Sequence, residues 1–202
     1  SLMPSAAYLG STLAIAPRPD RSELLDLVAS ARVTTFLGPP TLFAMLAQGD
    51  ELAARDTSSL RLISYAGSPM HPDTIVRLRE LLPHVALRNF FGLTETTSVT
   101  HVLPSENALS HADSVGKPLP EVRAIVADAD GNEVAAGVTG ELLIHRANVI
   151  PGYWGMPERL EQEIRDGWFH TGDLAHYDAD GYLYVHGREK DVIIVGGENV
   201  IA

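Results

Sequence analysis

Two hydrophobic periods divide this chain. Up to about residue 113, apolar residues recur at helical spacing between short runs that suit buried strands. Leu24, Leu25, Val28 and Ala31 form one helical stripe, opened by Asp20 as a cap with Glu23 three residues on as its capping-box partner. Residues 12–16 are a short apolar run, and the β-branched and aromatic residues 33–37 predict a strand, broken by Gly38-Pro39-Pro40. A helix over 41–47 is closed by Gly49, and a strand over 60–65 ends in Ala66-Gly67-Ser68-Pro69. Pro72 suits the first turn of a third helix, whose buried side is Ile75, Leu78, Leu81 and Leu82. Residues 85–90 predict a further strand, which runs into Phe91-Gly92-Leu93-Thr94-Glu95. This β-α-β order argues for an α/β fold with a mostly parallel sheet and flanking helices, its glycine- and proline-rich turns at one edge.

From Ser114 to Gly187 the period shortens to alternating runs between tight turns. Residues 122–127 and 133–134 flank Asp128-Ala129-Asp130-Gly131, and residues 174–177 and 182–186 flank Asp178-Ala179-Asp180-Gly181. Each set predicts a hairpin. A strand over 140–145 and a short helix over 157–164 complete a β-rich part, expected as a small antiparallel sheet or distorted barrel. The expected division is therefore an α/β subdomain over 1–113, a β-rich, barrel-like subdomain over 114–187, and a hinge with the start of a further lid over 188–202. An end just after Val192-Ile193-Ile194-Val195 and a glycine turn reads as a chain that continues in a longer protein.

Composition narrows the function classes. The 202 residues are 45% hydrophobic, enough for a packed core, with a net charge of −11 that disfavours nucleic acid as a partner. There is no cysteine, which excludes disulfides, thiolate metal sites and a cysteine nucleophile. No apolar run approaches the ~20 residues of a membrane span, and Ser1-Leu2-Met3-Pro4 lacks the basic start of a secretory signal. The expectation is a cytoplasmic protein without a membrane span. The eight histidines show no H-E-x-x-H spacing and no G-x-S-x-G occurs, which argues against a metal or serine hydrolase.

Four stretches carry candidate chemistry. A strand running into Gly92, Thr94 and Glu95 is where an open α/β sheet binds ligands: Thr94 could bond a phosphate, Glu95 hold Mg²⁺ and Phe91 lie against a base. Taken alone, the same residues make a turn with two polar surface groups. Asp173, behind Thr171-Gly172, could accept bonds from a ribose diol or cap a local turn. Gly187-Arg188-Glu189-Lys190-Asp191 could equally be a solvated link. Gly140-Glu141-Leu142 with Gly152-Tyr153-Trp154 reads as architecture, with glycines for turns and both aromatics for packing.

In combination, F-G-x-T-E at 91–95, G-E-L at 140–142, G-Y-x-x-x-P-E at 152–158, T-G-D-L at 171–174, G-R-x-K-D at 187–191 and G-G-E-N-V at 196–200 form an ordered set. It resembles the adenylate-forming superfamily, in its acyl- and aryl-CoA synthetase branch, and covers essentially the whole chain. The resemblance implies a carboxylate–CoA ligase that uses ATP and Mg²⁺ to make acyl-AMP and then CoA to make acyl-CoA. It implies Thr94 at the α-phosphate, Glu95 on Mg²⁺, Phe91 and Gly92 at the adenine, and Asp173 and Arg188 at the ribose. Lys190 falls at the hinge, Gly196 and Gly197 along the pantetheine arm, and Ala66, Gly67 and Pro40 by the acyl pocket. Many relatives carry Tyr in the place of Phe91. The family's phosphate loop and its C-terminal lid have no counterpart in these residues, and Gly116-Lys117 is followed by Pro118 rather than Ser or Thr. The isolated chain is accordingly expected to be inactive, with self-association through bared apolar faces. Alternatives are a non-catalytic nucleotide-binding module and a peptide-synthetase adenylation domain, the latter disfavoured by the tail after Arg188.

Overall fold

In the computed structural model, which describes residues 2–18, 20–49, 51–97, 99–188, 192–195 and 198–201, the chain forms two units. The first comprises residues 1–90 and 103–113, and the second residues 91–102 and 114–202.

The first unit opens with α1 (Leu2–Tyr8), a helix the sequence pattern does not announce, with Pro4 near its start. Residues 11–16 form no regular element, and Ile15 is exposed. The helix α2 (Arg21–Ser30) begins where the cap predicts: the Asp20 side chain accepts the Glu23 amide at 3.0 Å. The carboxylate of Glu23 pairs with Arg18, so only the Asp20 side of the expected capping box is made. Then follow β1 (Thr35–Gly38), α3 (Pro40–Ala47), β2 (Leu62–Ala66), α4 (Pro72–Leu81) and β3 (Ala86–Phe91). The strands β1, β2 and β3 are parallel, with Gly38 beside Tyr65 and Ala66 beside Phe90. The turns after β1 and β2 therefore share the carboxyl edge of the sheet. Leu25, Phe43, Leu46, Ile75 and Leu78 bury one helical face each against Ile63, Tyr65 and Leu87. These strand positions alternate, so they lie on one face of the sheet. Among the described residues, the fully buried Tyr65 hydroxyl has no hydrogen-bond partner, and burial pushes it up to about 12.

The second unit begins at Phe91. It includes His101 and Val102 of β4 (His101–Leu103), which pair with β5 (Lys117–Pro118), then β6 (Ala124–Ala127), β7 (Gly140–His145), α5 (Pro157–Glu161) and β8 (Ile164–Arg165). The strands β9 (Trp168–Tyr177), β10 (Leu183–Arg188), β11 (Val192–Val195) and β12 (Glu198–Ile201) follow. An antiparallel sheet in the order β10-β9-β7-β6 carries the core of Leu142, Ile144, Phe169, Ala175 and Leu183. Its edge strands β10 and β6 do not pair, so the expected barrel is an open sheet; four strands are too few to curl round and bring their edges together. Gly140 has a packing reason: a Cβ there would sit 2.2 Å from the Ala127 carbonyl oxygen. Both D-A-D-G turns close alike. The first aspartate of each accepts two backbone amides, Asp130 and Asn132 on Asp128, Asp180 and Tyr182 on Asp178.

Candidate functional site

The stretch after β3 folds back on itself. The Thr100 amide returns to the Phe91 carbonyl at 2.8 Å, and the Thr96 hydroxyl meets both the amide and the carbonyl of Leu93 at 3.0 Å. Gly92 is not among the residues of positive φ; the left-handed position is Thr97, at φ 57°. Tight closure through Thr96 thus shapes this loop, where the sequence had pointed to the glycine. Thr94 is exposed and Glu95 half-buried. The Glu95 carbonyl accepts the Ile150 amide at 2.7 Å, and its carboxylate accepts a hydrogen bond from the Tyr153 hydroxyl. That bond is the main reason the Tyr153 phenol is raised above its ordinary value. Tyr153 therefore anchors the candidate cation ligand while its ring, partly buried, packs against the core of the second unit. Its neighbour Trp154 is fully exposed and packs nothing.

The T-G-D motif is a bulge in the central strand β9. Glu141 faces Leu174 and Leu143 faces His170, so Leu142 alone spans Thr171, Gly172 and Asp173. The extra residues bend the strand and re-aim a side chain, the usual consequence of a bulge. Four hydrogen bonds hold the bend. The Thr171 hydroxyl donates to the Leu142 carbonyl at 2.8 Å and accepts the Asp173 amide at 3.0 Å. The Glu141 carboxylate accepts the Gly172 amide at 2.9 Å and meets His170 Nδ1 at 2.7 Å. Gly172 sits at φ 71°, where a side chain would be strained. A second irregularity, in β10, leaves His186 unpaired in register and sets Arg188 opposite Asp173.

The bulge buries Asp173, its side chain 9% exposed, with Arg188 Nε 3.5 Å from Oδ1. Burial raises Asp173 above the usual carboxylate range; Arg188 opposes this, while the charges of Glu95 and Glu141 add to it. Glu95 and Arg188, separated widely from Asp173 and from each other in sequence, thus both lie within electrostatic reach of Asp173 inside one unit. Phe91, at the base of the same loop, is half-buried with the His101 ring against it edge-on, centroids 5.8 Å apart. Among the described residues no three of His, Asp and Glu converge as an all-protein metal cage would need. A single oxygen donor such as Glu95 fits Mg²⁺, which keeps waters and phosphate oxygens as its other ligands.

The three candidate acyl-pocket residues lie in the first unit, at the carboxyl edge of its sheet. Ala66 is half-buried at the end of β2, Gly67 is exposed in the turn, and Pro40 is buried at the start of α3. Lys190, Gly196 and Gly197 lie outside the described residues. Two polar groups at the site escaped the sequence reading. Glu141 stood inside a motif taken as architecture and His170 just ahead of T-G-D, and only the register of β7 on β9 shows that they clamp the bulge. A polar residue in an otherwise apolar strand, as in G-E-L-L-I, was the available signal.

Among the described residues no helix is long and apolar enough to cross a membrane. The chain is 34% identical over 197 residues to an indoleacetate–CoA ligase of Aromatoleum aromaticum, covering 96% of this chain and 38% of that protein. A long-chain-fatty-acid–CoA ligase of Salmonella typhimurium is 37% identical over 95% of this chain and 34% of its own length. The solved structure of O-succinylbenzoate coenzyme A synthetase from Bacillus subtilis with ATP and magnesium superposes with a TM-score of 0.87 at 28% identity, over 99% of this chain and 41% of that one. The chain thus spans well under half the length of the relatives it matches. The AMP-binding enzyme family model matches residues 2–154, more than half of the chain, and the chain belongs to that family of adenylate-forming enzymes.

Proposed function

We propose that this chain is the nucleotide-handling middle of a cytoplasmic AMP-forming carboxylate–CoA ligase. The observation that carries the proposal is the convergence of Glu95, Asp173 and Arg188 within one unit, with an aromatic face, Phe91, on the same loop as Glu95. Asp173 accepts the ribose hydroxyls and Arg188, 62% exposed in its side chain, adds a donor beside them. Phe91 and Gly92 receive the adenine. Thr94, exposed ahead of Glu95, bonds the α-phosphate. Glu95, steadied by Tyr153, would hold Mg²⁺, which when bound would supply positive charge against the phosphates. Ala66, Gly67 and Pro40 border the acyl group, and Lys190, Gly196 and Gly197 serve the hinge and the pantetheine arm of CoA.

The test uses a complete ligase containing this chain, given ATP, Mg²⁺, CoA and a panel of aliphatic and aryl carboxylates. AMP and an acyl-CoA should appear with at least one acid, and Asp173→Asn should weaken AMP binding by roughly tenfold or more while the fold persists. Absence of AMP with every acid, or an unchanged AMP affinity in Asp173→Asn, overturns the proposal. The 202 residues alone should release no AMP, since one lost transition-state donor already costs about 10²–10³ in rate.

A further inference from the structure

The buried polar side chains of the second unit include one group that the proposed chemistry leaves unused. His101 on β4 has no exposed surface. Its Nδ1 lies 2.9 Å from the Thr100 hydroxyl and its Nε2 2.9 Å from the Tyr177 hydroxyl. Thr100 in turn touches the Phe91 carbonyl twice, through its amide at 2.8 Å and its hydroxyl at 3.4 Å. A neutral imidazole offers one N–H and one lone pair. The Thr100 hydroxyl can donate to Phe91 only if it accepts from His101. With the Thr100 O–H on that carbonyl, the donors run one way: the Tyr177 O–H donates to Nε2, the Nδ1–H to the Thr100 oxygen, and the Thr100 O–H to the Phe91 carbonyl. Tyr177 lies on β9, the strand that carries Asp173. Burial pulls His101 down to about 3, so the ring stays neutral through neutral pH.

We infer that His101 is a positioning residue for the nucleobase: through Thr100 and Tyr177 it holds Phe91 still, as a flat platform at a set place relative to Asp173. The inference rests on the proposed nucleotide reading. A mobile ring must be ordered when a base stacks on it, and that ordering weakens binding. A ring already held by a hydrogen-bonded chain on its backbone and by an imidazole ring packed against it has little left to lose. The effect is confined to the base, because Asp173 and Arg188 are held by the separate bonds of the bulge.

The experiment compares dissociation constants of AMP and ribose 5-phosphate in a complete ligase containing this chain, for the wild type and three variants. His101→Phe fills the space but breaks both hydrogen bonds; it should weaken AMP about fivefold and leave ribose 5-phosphate unchanged. His101→Asn restores a donor toward Thr100 and should recover most of the loss. Tyr177→Phe removes one oxygen and should weaken AMP about twofold; it decides the matter if His101→Phe does not fold. Equal weakening of both ligands, or unchanged AMP affinity in folded His101→Phe and Tyr177→Phe, overturns the inference. A wild type that binds ribose 5-phosphate but gains nothing from the base also overturns it, while the ribose site stands. A wild type that binds neither ligand defeats the nucleotide reading and this inference with it.

Discussion

The parallel and antiparallel parts of this molecule solve the same packing problem with opposite materials. The first unit presses apolar faces of α2, α3 and α4 onto one side of regular strands, and its β1–β2–β3 register runs without a break. Its one buried hydroxyl without a partner among the described residues, on Tyr65, is a cost the packing absorbs. The second unit breaks its register twice within β9 and β10 and fills the breaks with polar groups that are bonded to each other. Regular geometry makes a scaffold; interrupted geometry aims side chains. The candidate nucleotide residues other than those outside the described residues all fall in the interrupted unit.

The sharpest way to break this comparison is to damage each unit by its own logic. Phe43→Ala, at a position with no exposed surface, should cost the first unit about 4 kcal/mol in chemical unfolding. A cost under about 1 kcal/mol would mean the helices do not depend on that core. Gly140→Ala should cost about 3 kcal/mol, because its methyl meets backbone that cannot move without parting β6 from β7. Hydrogen exchange should show the loss in β6 and β7 while α3 and α4 stay protected.

Acid should separate the units next. The buried neutral His101 keeps its proton affinity low in the folded state, whereas the unfolded histidine takes a proton below its ordinary 6.5. The unfolded chain therefore binds more protons between pH 6.5 and about 3, and stability falls as pH falls through that window. The slope from this residue should approach about 1.4 kcal/mol per pH unit, and His101→Phe should remove that part of it. An identical acid slope in the variant would count against a neutral, buried ring.

The smallest effects carry opposite signs. Tyr65→Phe removes an unsatisfied hydroxyl and should raise stability by about 1 kcal/mol, while Tyr177→Phe removes a satisfied one and should lower it by about as much. Equal signs in thermal melts would erase the distinction drawn between the two cores.

The chain itself determined a good deal. Asp20 capped α2, Pro72 opened α4, and β7 spans the six residues that alternation and Gly140 mark out, because caps, turns and periodicity act within a few residues of chain. The ordered motifs also carried the family, since each is a local string. Tertiary structure alone decided that T-G-D is a bulge, that Glu141 and His170 clamp it, that Tyr153 holds Glu95 while Trp154 stands in solvent, and that the β-rich part stays open. Each of these depends on which residue of a distant strand arrives opposite, and a shift of one position in register exchanges every neighbour on both faces. Asp173 could be named from its motif; its burial and its company of Arg188, Glu95 and Glu141 exist only once the strands have paired.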